Sequence, residues 1–226
     1  MNNNEFIIYH GSVSIIEQPK YGVGKPYNDY GLGFYCTESL DLAKEWAVSN
    51  SIDGFANKYS LDISNLKILD LSKTATVLHW ITILLQNRVF NLKSDIAKLG
   101  KNYLMEHFNL PIKDYDIVKG YRADDSYFAY AENFLNNTIS VRRLSEALRY
   151  GNLGEQIVLA SEKAFQHITF LGYEIADSAT YYPLRQERNE NARKEFLTNR
   201  RGTPSPDDLY LNDIIKGVNP DDPRIQ

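Results

Sequence analysis

The chain has 226 residues, of which 43% are hydrophobic and 24% charged, with a formal net charge of −4. That balance excludes a disordered chain except at the ends, and it argues against a generally basic nucleic-acid surface. Cys36 is the one cysteine and cannot close an internal disulfide, and no charged and apolar leader opens the chain, so a reducing cytoplasm is the expected location.

The first element is a β-rich run at residues 5–9 that stops at His10-Gly11-Ser12, which places His10 at a strand end. Residues 19–33 hold Gly22, Gly24, Pro26, Asn28, Asp29, Gly31 and Gly33 and read as a shaped loop. A short strand follows at Phe34-Tyr35-Cys36. Thr37 is then expected to cap a helix with Glu38 and Asp41 in its first turn and Leu42, Ala43, Trp46 and Ala47 as its inward stripe. Strands at residues 57–63 and 67–71 are expected to join the same sheet. From residue 73 to 108 the pattern is helical and reads as an inserted layer. Its apolar run, residues 76–85, contains His79 and ends at Gln86, Asn87 and Arg88; it is too short to span a bilayer, and no membrane partner is expected.

A strand at residues 115–118, helices near 126–135 and 140–150, and strands at 155–160 and 168–175 complete the sheet. The charged stretch 184–201 reads as a solvated helix, whose Arg188, Arg193, Lys194, Arg200 and Arg201 are the cations available to a nucleic acid or an acidic partner. Residues 1–216 are thus expected to form one α+β domain, with 217–226 a loose tail. His79, His107 and His167 are scattered and Cys36 has no partner at ligand spacing, so no metal is expected.

Tyr9-His10-Gly11-Ser12, then Asp29-Tyr30-Gly31-Leu32-Gly33-Phe34-Tyr35 and a helix, resembles the NAD-binding half of the diphtheria-toxin and poly(ADP-ribose) polymerase class, known by a His-Tyr-Glu triad. Over most of its length the chain also resembles a bacterial family of uncharacterised ADP-ribosyltransferase-like proteins with a His-Gly-Ser opening, an Asp-Phe-Gly-x-Gly-Phe-Tyr segment and a later Gln-Ile-Cys-like strand. The resemblance implies split mixed β-sheets with inserted helices. It implies NAD as substrate, ADP-ribose transfer to a protein or nucleic-acid acceptor, and a toxin-like role with an antitoxin or inhibitor protein as partner.

Carried over by position, His10 would hold the adenine-side ribose, the Gly11 backbone the nicotinamide amide beside Ser12, and Tyr35 and Trp46 the two faces of the nicotinamide ring. Glu155 is the first choice for the nicotinamide-ribose hydroxyl, and Gln156 is the matching residue in the closer comparison. Successive strand side chains face opposite ways, so one of the two faces the cleft. An anion or oriented dipole there would stabilise the oxocarbenium character that develops as the glycosidic bond breaks. Arg122, Asp124 and Asp125 form either an acceptor- or phosphate-orienting group or a helix-capping cluster. Tyr35 and Trp46 are equally readable as core aromatics. Two further functions share this fold: a non-catalytic NAD or ADP-ribose binding module, and an RNA 2′-phosphotransferase, which asks for extra basic residues around the pocket.

Overall fold

The computed structural model describes residues 4–122, 125–148, 154–200 and 204–225. The chain is a mixed α+β protein whose strands divide into two sheets. The first is antiparallel, with β1 (Glu5–Ser12) beside β3 (Gly54–Asp62) and β3 beside β7 (Ile168–Ala176). The second runs in the order β2 (Phe34–Cys36), β6 (Glu155–Leu159), β5 (Ile117–Tyr121) and β4 (Ile68–Asp70), with β4 and β5 parallel and the other pairs antiparallel.

Alternation along the strands of the second sheet explains how the two sheets meet. Phe34, Cys36, Ile117, Ile157 and Leu159 point to one side and pack on Ile8, Tyr59 and Leu61 of the first sheet. Val118 and Val158 point to the other side, into a second core with the helical layer. That layer is built from α2 (Leu71–Thr74), α3 (Val77–Asn87) and α4 (Asp95–His107), followed by α5 (Asp125–Leu135) and α6 (Val141–Ala147). Trp80, Ile81 and Leu84 of α3 and Leu104 of α4 are at most 2% exposed. Among the described residues no helix is long and apolar enough to cross a membrane.

Several sequence expectations are corrected in detail. β1 runs through His10 to Ser12, and His10 pairs with Asn57 inside the sheet instead of ending a strand. The strands expected at 57–63 and 67–71 enter different sheets, because the chain turns between them at Asn65, whose φ is 62°. Ser39, not Thr37, caps α1 (Leu40–Ala47), its Oγ accepting the Leu42 N–H at 3.3 Å. Thr37 is instead a joint between the sheets, exchanging backbone hydrogen bonds with Tyr9 at 2.8 and 2.9 Å.

Beyond β6 lie α7 (Glu162–Gln166), α8 (Ser178–Arg200) and α9 (Leu211–Ile215). The charged helix α8 is docked as well as solvated: Arg188 grips Glu45 of α1 through two hydrogen bonds of 2.7 and 2.9 Å, and Arg185 donates to the Val48 carbonyl at 3.0 Å. Glu45 is 2% exposed, so Arg188 is committed to compensating a buried charge. The C-terminal tail is not loose, since Ile225 is 1% exposed within the helical core. Asp124, Arg201 and the break at residues 151–153 lie outside the described residues.

Gly11 sets the distance between α1 and β1. A Cβ at this position would stand 2.0 Å from the Ala43 carbonyl oxygen and 2.9 Å from the Ala47 nitrogen, both backbone atoms that no rotamer change relieves. Gly11→Ala is therefore expected to lower stability by about 1–3 kcal/mol, the range for overpacking, read as a lower midpoint in urea unfolding; an unchanged midpoint would show that α1 yields without cost.

Candidate functional site

Where the two sheets part, a cavity of about 440 Å³ opens between β1, β2, α1 and the start of β6. His10, Phe34, Tyr35, Trp46 and Gln156 line it, and one wall is the loop that contains Lys20, Gly24 and Asp29. Arg88, just after α3, and Arg122, just after β5, complete it.

His10 is fixed on both sides. Its ring stacks on Phe34 with centroids 4.2 Å apart, and its Nδ1 lies 2.7 Å from the Tyr35 carbonyl oxygen. A carbonyl only accepts, so Nδ1 carries the proton and the neutral ring offers Nε2 as an acceptor. Burial pushes the imidazole's pKa below its usual value, outweighing the opposite pull of the bond to Tyr35, and the neutral form is the resident one.

Tyr35 presents its ring to the cavity while its hydroxyl is spoken for, donating to the Gly31 carbonyl at 2.7 Å and accepting the Tyr30 N–H at 3.1 Å. Burial holds this phenol well above its ordinary pKa, which removes it from acid-base chemistry near neutrality. Gly31 has φ +78°, a left-handed conformation that few other residues adopt readily, and this turn brings its carbonyl under the phenol.

Trp46 faces the same space from α1, with the Arg122 guanidinium 5.0 Å above its ring. Its indole N–H is buried and finds no hydrogen-bond acceptor among the described residues. Such a donor favours a ligand that brings an acceptor to it.

The two candidates at the start of β6 are separated by the pleat. Gln156 is 4% exposed and lines the cavity, with Nε2 donating to Asp29 Oδ2 at 2.9 Å. Glu155 faces away, into a neighbouring depression of about 370 Å³ with Glu38 and Asp41, and pairs with Lys119 at 3.2 Å. The first choice on the sequence is thus the residue outside the cavity, and the strand's alternation is the reason. Gly11 and Ser12 do not line the cavity either. Gly11 is packed against α1, and Ser12 Oγ is engaged by the Ser14 carbonyl and by Asn57 Nδ2, the latter at 3.2 Å.

Sequence reasoning missed Asp29, Arg88 and Lys20. Arg88 ends an apolar helical run, and in the sequence it marks only that the run is too short to span a membrane. In the fold the end of α3 reaches the loop: Asn87 Nδ2 donates to the Asp29 carbonyl at 3.3 Å, and Arg88 stands 3.4 Å from Asp29 Oδ1. Among the described residues, three cations, Lys20, Arg88 and Arg122, therefore stand around the cavity with one buried carboxylate, that of Asp29. Among the described residues no group of His, Cys, Asp and Glu is arranged to hold a metal ion.

Residues 6–170 match a family described as "Protein of unknown function (DUF3990)". That stretch takes in the strands from β1 to β6, the start of β7, and each of His10, Asp29, Tyr35, Trp46, Arg88, Arg122 and Gln156. No curated protein and no solved structure matches the chain.

The depressed His10 pKa has a consequence for stability. As pH falls through about 6.5 the unfolded chain takes up a proton that folded His10 resists, so stability is lost on acidification in that window. Burial lowers the His79 pKa too, and it adds a loss of the same sign. His10→Asn keeps a donor for the Tyr35 carbonyl but does not titrate; its melting temperature should fall less than that of the wild type between about pH 6.5 and about pH 5. Parallel curves would mean that His10 titrates as it does in water.

Proposed function

The chain belongs to the DUF3990 family, and from its site we propose that it is an NAD-dependent ADP-ribosyltransferase that cleaves the bond between nicotinamide and ribose and passes ADP-ribose to a macromolecular acceptor. The observation that carries this reading is the meeting of His10, Tyr35, Trp46 and Gln156, from four separate elements, on one cavity at the parting of two sheets. The split arrangement is also what the resemblance to ADP-ribosyltransferases implies.

Each part of NAD has a counterpart there. The rings of Tyr35 and Trp46 suit a flat heteroaromatic ring, and the buried indole N–H suits an acceptor on that ligand. Neutral His10 accepts from a ribose hydroxyl through Nε2. Lys20, Arg88 and Arg122 suit a pyrophosphate, which guanidinium groups bind through paired hydrogen bonds. Asp29 and the Gln156 amide bring negative potential toward the ribose, where positive charge grows as nicotinamide leaves.

Two other readings rest on specific observations. The residue from β6 at the cavity is a neutral amide, which fits a module that binds NAD or ADP-ribose without cleaving it. The three cations answer the need of an RNA 2′-phosphotransferase for basic residues. The acceptor, protein or nucleic acid, and an antitoxin or inhibitor partner belong to the proposal through the resemblance.

Labelled NAD is incubated with the purified protein and whole lysate, and free nicotinamide and labelled macromolecule are measured. Release of nicotinamide with label transfer is expected. His10→Ala and Trp46→Ala should weaken NAD binding about tenfold, the loss of a buried contact worth about 1.4 kcal/mol. Gln156→Ala should slow nicotinamide release by about 10²-fold, while Glu155→Ala, which removes a partly exposed ion pair, should stay within about twofold of wild type. Binding without release selects the module, and loss of phosphate from a 2′-phosphorylated RNA with NAD selects the phosphotransferase.

A further inference from the structure

The Gln156 amide is not free to choose which end it shows. Its Nε2 lies 2.9 Å from Asp29 Oδ2 and 3.4 Å from the Tyr121 carbonyl oxygen. Both neighbours only accept, so the NH₂ end must face them; a flipped amide would set its oxygen against a carboxylate oxygen at hydrogen-bond distance. The carbonyl end, Oε1, receives no hydrogen bond from the described residues. Asp29 is itself held on several sides. It is 5% exposed, its carbonyl accepts from Asn87 at 3.3 Å, Arg88 stands 3.4 Å from Oδ1, and the turn around it closes through a Gly31 N–H to Asn28 carbonyl bond of 3.0 Å.

Building on the transferase reading, we propose that Asp29 is a positioning residue that locks the Gln156 amide, so that the cavity offers Oε1 as an uncharged acceptor for a ligand hydroxyl or amide N–H. The negative charge then stands one hydrogen bond behind the contact atom. This arrangement selects for a donor on the ligand, such as a ribose hydroxyl, and against a carboxylate or phosphate oxygen at that point. It also separates two tasks that a single glutamate would combine: Gln156 makes the contact and Asp29 supplies the charge.

The lock predicts an unusual result for the substitution that restores a carboxylate at the β6 position. In Gln156→Glu two carboxyl groups would stand at about the distance at which both cannot ionise together. The pair would hold one proton, which bridges to Asp29 and leaves a carbonyl oxygen facing the cavity, much as the amide does. Deprotonation at higher pH would break that arrangement. Among the described residues, the charged and titratable groups around the pair are Arg88 after α3, Arg122 after β5, His10 on β1, Lys20 in the loop, Glu155 on the other face of β6, and the phenols of Tyr30 and Tyr35. All of them are present in the wild type as well, so the difference between variant and wild type isolates the new carboxyl group.

The test uses the full chain, with NAD as the probe, in four forms: wild type, Asp29→Asn, Gln156→Glu and the double variant Asp29→Asn/Gln156→Glu. Melting temperature against pH is read first, without ligand. A carboxyl group whose folded pKa is raised above about 4.3 makes stability fall as pH rises through the folded value. Gln156→Glu should therefore lose melting temperature relative to wild type as pH rises, and adding Asp29→Asn should abolish that loss, because the amide and carboxylate then trade places. A Gln156→Glu curve parallel to wild type, or one that Asp29→Asn does not correct, overturns the proposal.

NAD affinity is read second. Asp29→Asn alone should weaken binding about tenfold, since an amide partner no longer dictates which end of Gln156 faces the ligand. Gln156→Glu should bind near wild-type strength at low pH and progressively worse as pH rises, and the double variant should recover binding without that pH dependence. Recovery failing in the double variant while its stability is intact also overturns the proposal. If the stability curves behave as expected and the wild type binds no NAD, the locked amide is upheld and the NAD reading alone is lost.

Discussion

The site depends on how two sheets that share no ladder are held together. Among the described residues one antiparallel bridge, between Tyr9 and Thr37, joins them, and one residue further along β1 the His10 ring donates to the Tyr35 carbonyl across the same gap. Backbone polar groups at such a parting would otherwise need water, so the side chain of His10 completes what a continuous ladder would have supplied. Its burial follows from that duty, and so does its neutral state. A structural bond on Nδ1 thereby decides the chemistry available at Nε2.

The cavity is built from partnerships of unequal strength. Tyr35 has its hydroxyl fully occupied, so it contributes a surface and no proton. Gln156 and Asp29 form a polar pair in a place where 4% and 5% exposure make an unpaired group costly. Arg88 compensates Asp29, and Asn87 anchors the same turn, so the end of α3 governs the shape of a loop nearly sixty residues earlier in the chain. The helical layer is therefore more than cover for the sheet. Its last residues hold one wall of the cavity and lend it positive charge.

Much of the frame was legible in the sequence, and the pattern of what was not is instructive. Runs such as Phe34-Tyr35-Cys36 and the stretch after residue 154 read as strands because branched and aromatic residues alternate there, and the shaped loop declared itself through glycine and proline. Pairing was not legible. The residues at 57–63 and 67–71 look alike in composition, yet a left-handed Asn65 sends them to different sheets. The resemblance assigns the nicotinamide amide to the Gly11 backbone, whereas the atoms beside it belong to Ala43 and Ala47. For Glu155 and Gln156 the alternation of a strand was known, but its phase was not. Phase is set by Gly120 and Tyr121 across the β5–β6 ladder, residues with no local tie to either candidate. Arg88 carried no signal at all, because its role depends on a contact with Asp29 that only the folded chain creates.

The grip of Arg188 on Glu45 has a bearing on where the working unit ends. Glu45 immediately precedes Trp46, and its buried carboxylate is answered by a helix that lies beyond residue 170, the last position covered by the family match. A fragment cut at that boundary would keep the loop and the ring of Trp46 but lose residues 171–176 of β7, and it would leave an interior anion without its counter-charge, a defect that typically costs about 3–5 kcal/mol. The stretch covered by the family match thus leaves the partner of Glu45 outside it, and α8 acts as a brace for the tryptophan wall.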